Sequence, residues 1–148
     1  MRVVVQRVSR ASCSVDDHVV SAIGRGYLLL VGFQTTDTAD IVRHVARKIA
    51  RLRVFEDAAG KLNEDIAAMH GEILSISQFT LYGDTSKGNR PSFTKAMRPD
   101  QANELYELFN RLLNDEHGIP TKGGVFQEHM MIDLINDGPV TVIVEKDQ

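Results

Sequence analysis

The opening of the chain is a succession of short, β-branched apolar runs. Val3 to Val8, Ala11 to Val15, Val19 to Ile23 and Tyr27 to Phe33 are separated by Ser9-Arg10, Asp16-Asp17-His18 and Gly24-Arg25-Gly26. That spacing predicts strands joined by hairpins, hence an antiparallel meander. The period then lengthens. Ile41, Val42, Val45, Ile49 and Leu52 recur at helical spacing, with Arg43, Arg47, Lys48 and Arg51 on the other side. This predicts an amphipathic helix against a sheet, with Asp37 or Thr38 as its N-cap.

A short strand at Leu52 to Phe55 and a turn at Asp57 to Gly60 lead to a further strand over Glu72 to Phe79, expected to be central. A polar loop runs from Gly83 to Lys95. The second helix starts near Pro99, carries Ala102, Leu105, Leu108, Phe109, Leu112 and Leu113, and stops at Gly118. Met130 to Ile135 and Val140 to Glu145 read as a closing hairpin around Asn136-Asp137-Gly138-Pro139. No internal repeat, linker or alternation of βαβ units is evident. The order predicts one α+β domain over residues 1–148, with two main amphipathic helices on a curved, largely antiparallel, barrel-like sheet.

Composition narrows the function classes. The chain has 148 residues, 43% of them hydrophobic and 25% charged, which is ordinary globular usage. Cys13 is the only cysteine, so neither an intrachain disulfide nor a cysteine metal cage can form, and a reducing compartment is expected. The start, MRVVVQRVSR, scatters arginines through its apolar run and does not read as a signal peptide. The apolar stretch from Tyr27 to Phe33 falls far short of the roughly 20 residues that cross a bilayer. A cytoplasmic protein is expected. The net charge of -3 gives a polyanion no general attraction, so a nucleic-acid partner would need a local basic patch.

Glycine-rich phosphate loops are absent, because neither Gly24-Arg25-Gly26 nor Lys122-Gly123-Gly124 stands in a GxGxxG or GxxxxGK context. His18, His44, His70, His117 and His129 lack metal-ligand spacing, so no metal and no other cofactor is expected. Ser75 to Tyr82 places hydroxyl, amide and aromatic groups at a strand exit, where unpaired main-chain N–H groups can bind an oxyanion. The competing reading is a strand whose hydroxyls face water. Thr80 as a nucleophile needs a general base, and no His, Asp or Lys is placed by the sequence to serve it. Lys87, Arg90 and Lys95 lie in a loop with two hydroxyls and Phe93, which suits phosphate and sugar contacts as well as it suits a solvated loop. Phe126 and Met130 fit either a base pocket or core packing. Asn136 to Pro139 is what an ordinary turn uses, and about 5 to 6% of X-Pro bonds are cis, so the dipeptide alone fixes no geometry.

SQFTLY (Ser77 to Tyr82), together with NDGPVT (Asn136 to Thr141), resembles the D-aminoacyl-tRNA deacylase family. The opening VVVQRVSRAS, then IGRG, RVFED, GEIL, KGNRPSF and NDGPVTVIVE fall in that family's order along essentially the whole chain. The resemblance implies a β-rich homodimer that hydrolyses the ester between a D-amino acid, or achiral glycine, and the 3′-terminal adenosine of tRNA. It implies a cis Gly138-Pro139 bond inserted into the partner's site, where its carbonyls hold the α-amino group and exclude an L side chain. Ser77, Gln78, Phe79 and Thr80 would line the reacting carbonyl, with the N–H groups of Phe79 and Thr80 as oxyanion donors. Catalysis would lean on the substrate's 2′-hydroxyl. Arg7 would fix the Gly-Pro loop, and Phe126 and Met130 would hold the adenine. The chain departs from the family where it reads Gln127-Glu128-His129 after the phenylalanine in place of Gly-Ala or Gly-Glu, so the fine shape of that adenine pocket is not carried over by the resemblance. Two other classes compete: a non-catalytic tRNA- or RNA-binding module using the basic loop and the Arg43 to Arg51 face, and a dimeric interaction domain without nucleic acid.

Overall fold

In the computed structural model, which describes residues 1–148, one strand organises the sheet. β1 (Arg2–Val15) is continuous through Ser9-Arg10, where the pattern predicts a break. Those two residues are exposed beside irregularities in the β1 pairing, and the strand passes through because a long partner runs along it on one side. On the other side β1 pairs antiparallel with β2 (His18–Ile23) near its end and β3 (Gly26–Gly32) near its start.

Alternate residues of β3 enter two different cores. Tyr27, Leu29 and Val31 face the larger core beneath the helices, and Leu28 joins Val8, Ala11, Cys13, Ile23, Leu74 and Ile76 inside the curl of the sheet. With successive side chains on opposite faces, the sheet is covered on both, which explains the near-continuous apolar run Tyr27 to Val31.

α1 (Ala39–Arg51) is capped by Thr38, not Asp37, through Thr38 Oγ1 accepting from Ile41 N at 3.4 Å. Asp37 instead binds the Met1 amino group at 2.6 Å and the Gln34 N–H at 2.8 Å. The face of α1 is as expected, with Ile41, Val42, Val45 and Ile49 buried. At about 1.5–3 kcal/mol per fully buried large side chain, that stripe outweighs the exposed Arg43–Asp40 pair, whose kind contributes about 1 kcal/mol at most.

The strand expected over Leu52 to Phe55 is shifted to β4 (Phe55–Glu56), with Leu52 capping α1, and pairs with β5 (Leu62–Glu64). β6 (Glu72–Ser77) stops two residues earlier than expected, and Phe79–Tyr82 forms a 3-10 turn. It lies parallel to β3, and β7 (Thr121–Gly123) lies parallel to β6 after α2 (Pro99–Arg111) and a π-helical turn at Leu112–Glu116. The chain therefore contains two parallel crossovers that its periodicity does not reveal. β4 and β5 interrupt the first, and β7 is too short to carry a period. The result is a curved, barrel-like mixed sheet, antiparallel along its long strands, with two main helices.

The closing hairpin is likewise replaced by one strand, β8 (Met131–Glu145), paired antiparallel with β1 along its length. Gln6 pairs with Thr141 and Val8 with Asn136, so Arg7 alone stands opposite Asp137, Gly138, Pro139 and Val140. The turn-forming residues make a bulge within a strand rather than a reversal between two. No helix is long and apolar enough to cross a membrane.

Candidate active site

Where β6 ends, its two neighbours behave differently. On one side β3 keeps pace, with Val31 opposite Ser77 and the Gln78 N–H donating to the Val31 carbonyl at 2.7 Å. On the other, pairing with β7 ends at Ser75 opposite Gly123. The opening beyond that point is part of a cavity of about 780 Å³. Ile76 to Thr80 form one wall and Phe126 to Met130 another, with Phe93, Met97, Arg98 and Ala102 closing the remainder.

The strand exit presents main-chain donors. In the 3-10 turn the Leu81 N–H reaches the Gln78 carbonyl at 3.3 Å and the Gly83 N–H the Thr80 carbonyl at 3.0 Å, whereas the N–H groups of Phe79 and Thr80 donate to no main-chain carbonyl. The first residues of a helical turn leave such donors free. Thr80 Oγ1 accepts from Gln78 Nε2 at 2.7 Å, so its hydroxyl is held by an amide and not by a base. Phe79 is exposed and packs edge-on against Phe93, with ring centroids 5.1 Å apart.

Gln127, Glu128 and His129 also line the cavity, beside Phe126 and Met130, where the chain departs from the family pattern. They arrive through a turn in which Gln127 has φ of 68°, a left-handed conformation unusual for a side chain other than glycine. Phe126 and Met130 stand in the wall as expected, and Phe126 also packs near Tyr106, with centroids 6.1 Å apart. Phe93, Met97, Arg98 and Ala102 are additions to the expected set. Their only signal is an aromatic in a basic loop running into a helix. That loop, closed by pairing between Asp84 and Ser92, carries Lys87, Arg90 and Lys95 in exposed positions and delivers Phe93 to the cavity. The Ser86 N–H donating to Asp84 holds this carboxyl below its ordinary pKa.

Gly138 and Pro139 do not line this cavity. Their peptide bond is cis, and both residues are exposed. The bulge that carries them is tied down from both ends. Arg7, only 6% exposed, donates from Nε to the Asp137 carbonyl at 2.9 Å and from Nη1 to the Val54 carbonyl at 2.8 Å. Asn136 accepts from the Val140 N–H at 2.8 Å and donates to the Val140 carbonyl at 3.3 Å. A Cβ on Gly138 would stand 2.8 Å from Val140 N and Cγ2, and its φ of 144° lies where side chains are strained.

Residues 4–145 match the family described as D-Tyr-tRNA(Tyr) deacylase. The chain is similar to the D-aminoacyl-tRNA deacylase of Deinococcus radiodurans, 53% identical over 98% of this chain and 99% of the relative. The corresponding protein of Limosilactobacillus reuteri is 52% identical over 99% of this chain and all of the relative. Among solved structures, one named c-Myc DNA Unwinding Element Binding Protein superposes with a TM-score of 0.93, at 42% identity over the whole of both chains. A probable eukaryotic D-amino acid tRNA deacylase superposes at 0.85 with 18% identity over 97% of each, a likeness of fold.

Proposed function

The chain belongs to the D-Tyr-tRNA(Tyr) deacylase family and hydrolyses D-aminoacyl-tRNA, and on that premise we propose that the reaction occurs in the β6-exit cavity of a homodimer, beneath the partner subunit's Gly138-Pro139 bulge. The non-catalytic binding module and the inert interaction domain are set aside by the family. One observation carries the proposal. The cavity has oxyanion donors and an apolar wall but lacks Gly138 and Pro139, while those residues stand exposed on a pinned projection elsewhere.

In this reading Phe126 and Met130 hold the terminal adenine, an aromatic face being a general platform for a base. The ester carbonyl lies against Ser77 to Thr80, and its oxygen turns toward the free N–H groups of Phe79 and Thr80 as water adds to the carbon. Collapse of that intermediate returns the electron pair to the 3′-oxygen, which takes a proton and leaves, releasing the free amino acid and tRNA. The substrate's 2′-hydroxyl lies beside this bond and assists the proton transfer. The bulge carbonyls of the partner accept from the α-amino group and fill the space of an L side chain. A main-chain wall of this kind rejects by chirality and not by side-chain identity, so many D-amino acids and achiral glycine pass it. Lys87, Arg90 and Lys95 meet the phosphates of the acceptor end. The enzyme works in the cytoplasm, where charged tRNA is found.

Deacylation of D-Tyr-tRNA, L-Tyr-tRNA and Gly-tRNA tests the filter. D-Tyr-tRNA and Gly-tRNA should be cleaved and L-Tyr-tRNA spared; equal rates on the two tyrosyl substrates would end the chiral claim. A monomer with full activity would end the two-subunit site.

A further inference from the structure

We propose that Tyr106 is a positioning residue, a wedge whose hydroxyl parts β6 from β7 and thereby sets the two walls of the cavity; the inference rests on the cavity reading above. In β6 the Ile73 N–H bonds the Pro120 carbonyl at 2.8 Å, so Ile73 directs its main-chain groups toward β7, and Ser75, two residues on, does the same. A regular parallel ladder would continue with the Gly124 N–H on the Ser75 carbonyl. That contact falls outside hydrogen-bond geometry, although Ser75 and Gly123 stay in register as the last pair of the ladder. The Tyr106 hydroxyl stands at that place, donating to the Ser75 carbonyl at 2.6 Å and lying close against Gly123.

The insertion has consequences on both sides. Ser75 is two residues before Ser77 and three before Gln78, so the hydroxyl anchors the strand that delivers the oxyanion donors. Gly124 is two residues before Phe126, whose ring also packs toward Tyr106, so the same side chain supports the opposite wall. The surroundings leave the hydroxyl no freedom. Tyr106 is 6% exposed, and burial raises its pKa, which keeps it a neutral donor. A Cβ on Gly123 would stand 2.9 Å from the hydroxyl but 3.8 Å from the ring carbon that bears it. Ala102 and Tyr106 are one helical turn apart on α2, so the residue lining the cavity and the residue wedging it open share a face.

Steady-state kinetics on D-Tyr-tRNA, with amide exchange followed along Gln78 to Thr80 and Gly124 to Phe126, tests the wedge. Tyr106→Phe keeps the ring and removes the hydroxyl. It should lower kcat about tenfold, the size of one buried hydrogen bond, and accelerate exchange in both segments, with KM changed about twofold or less. Gly123→Ala should produce the same kcat loss by pushing the hydroxyl off Ser75. Because the alanine Cβ fits against a phenylalanine ring, the double variant should be no slower than Tyr106→Phe alone. Losses that multiply in the double variant, or a Tyr106→Phe enzyme that melts lower with unaltered kcat and exchange, would overturn the wedge. Faster exchange in both segments with unchanged kcat would uphold the wedge and count against the cavity as the site of reaction.

Discussion

At the exit of β6 the chain builds a concavity from several segments, each anchored in a different element. At the bulge of β8 it builds a projection from four successive residues, held by the side chains of Arg7 and Asn136. The concavity arises because a ladder is parted. The projection arises because an otherwise continuous ladder must accommodate three extra residues opposite Arg7. On the proposed reading both act through main-chain groups, the N–H donors of Phe79 and Thr80 in the first and the carbonyls of Gly138 and Pro139 in the second. On the proposed reading the difference says where a second copy would sit, since one chain has a wall without a lid and a lid without a wall.

The strongest way to break this comparison is Gly138→Ala. The added Cβ meets Val140 at 2.8 Å in a strained conformation, and backbone strain of this kind costs on the order of 1–3 kcal/mol. The bulge must shift by more than the tolerance of a chiral filter, so activity on D-Tyr-tRNA should fall by about 100-fold or more, the effect expected of a misplacement near 1 Å. Mixing separates two subunits from one. Combining Gly138→Ala with a cavity variant such as Phe126→Ala, after denaturation and refolding and with substrate well below KM, should add about a quarter of wild-type activity to what the component dimers retain, because half the dimers are mixed and each has one intact site. Mixed samples no more active than their components would confine the site to a single chain.

Phe126→Ala by itself tests the concave side. Loss of a stacking face is expected to weaken binding of the terminal base by about 1–3 kcal/mol, that is, KM up by about 5- to 150-fold. The Phe126→Ala enzyme should retain its preference for D over L, because the bulge is untouched; lost chirality here would merge the two regions that the comparison keeps apart. Replacing Lys87, Arg90 and Lys95 together by alanine should have a smaller effect at low salt. The clearer readout is the slope of log affinity against log salt, which should flatten by about 0.7–0.9 for each phosphate that the protein no longer neutralises. An unchanged slope would assign those cations to solvent.

The two regions are unequally legible in the sequence. Apolar periodicity marks α1 with its buried Ile41, Val42, Val45 and Ile49, and the β-branched runs mark β2 and β3. It marks neither of the two parallel crossovers, because β7 spans only Thr121–Gly123 and has no room for a pattern. The bulge reads as a hairpin for a physical reason: Asn, Asp, Gly and Pro serve equally where a chain reverses and where it bows out of a ladder, and only the pairing of both flanks with β1 tells them apart. The cavity is half visible. Ser77 to Thr80 stand in a recognisable motif and Phe126 and Met130 follow from the family resemblance, whereas Arg98 and Ala102 join them only through the packing of α2. Tyr106 falls outside the expected face of α2. Its role depends on a hydroxyl meeting one carbonyl, a relation that hydrophobic periodicity does not encode.

The smallest expected effect sharpens the comparison most, because it asks whether the concave region also works through its main chain. Thr80 Oγ1 accepts a 2.7 Å hydrogen bond from Gln78 Nε2, so its side chain helps order the turn whose N–H groups face the cavity. Thr80→Ala removes that bond while leaving both N–H groups in place. An exposed neutral hydrogen bond contributes about 0.5–1.5 kcal/mol, so kcat should fall by about tenfold at most. A threonine acting as nucleophile would instead leave Thr80→Ala with only the residual rate that positioning and oxyanion donors sustain, several orders of magnitude down. Thr80→Ser distinguishes the remaining alternative, since a hydroxyl that merely orders the turn is supplied as well by serine. If Thr80→Ala is dead while its circular dichroism and melting temperature match the parent, the two-region scheme loses its premise that the main chain carries the chemistry. If it turns over at a tenth of the rate or better, the donors at the β6 exit and the carbonyls of the bulge are the two halves of one main-chain site.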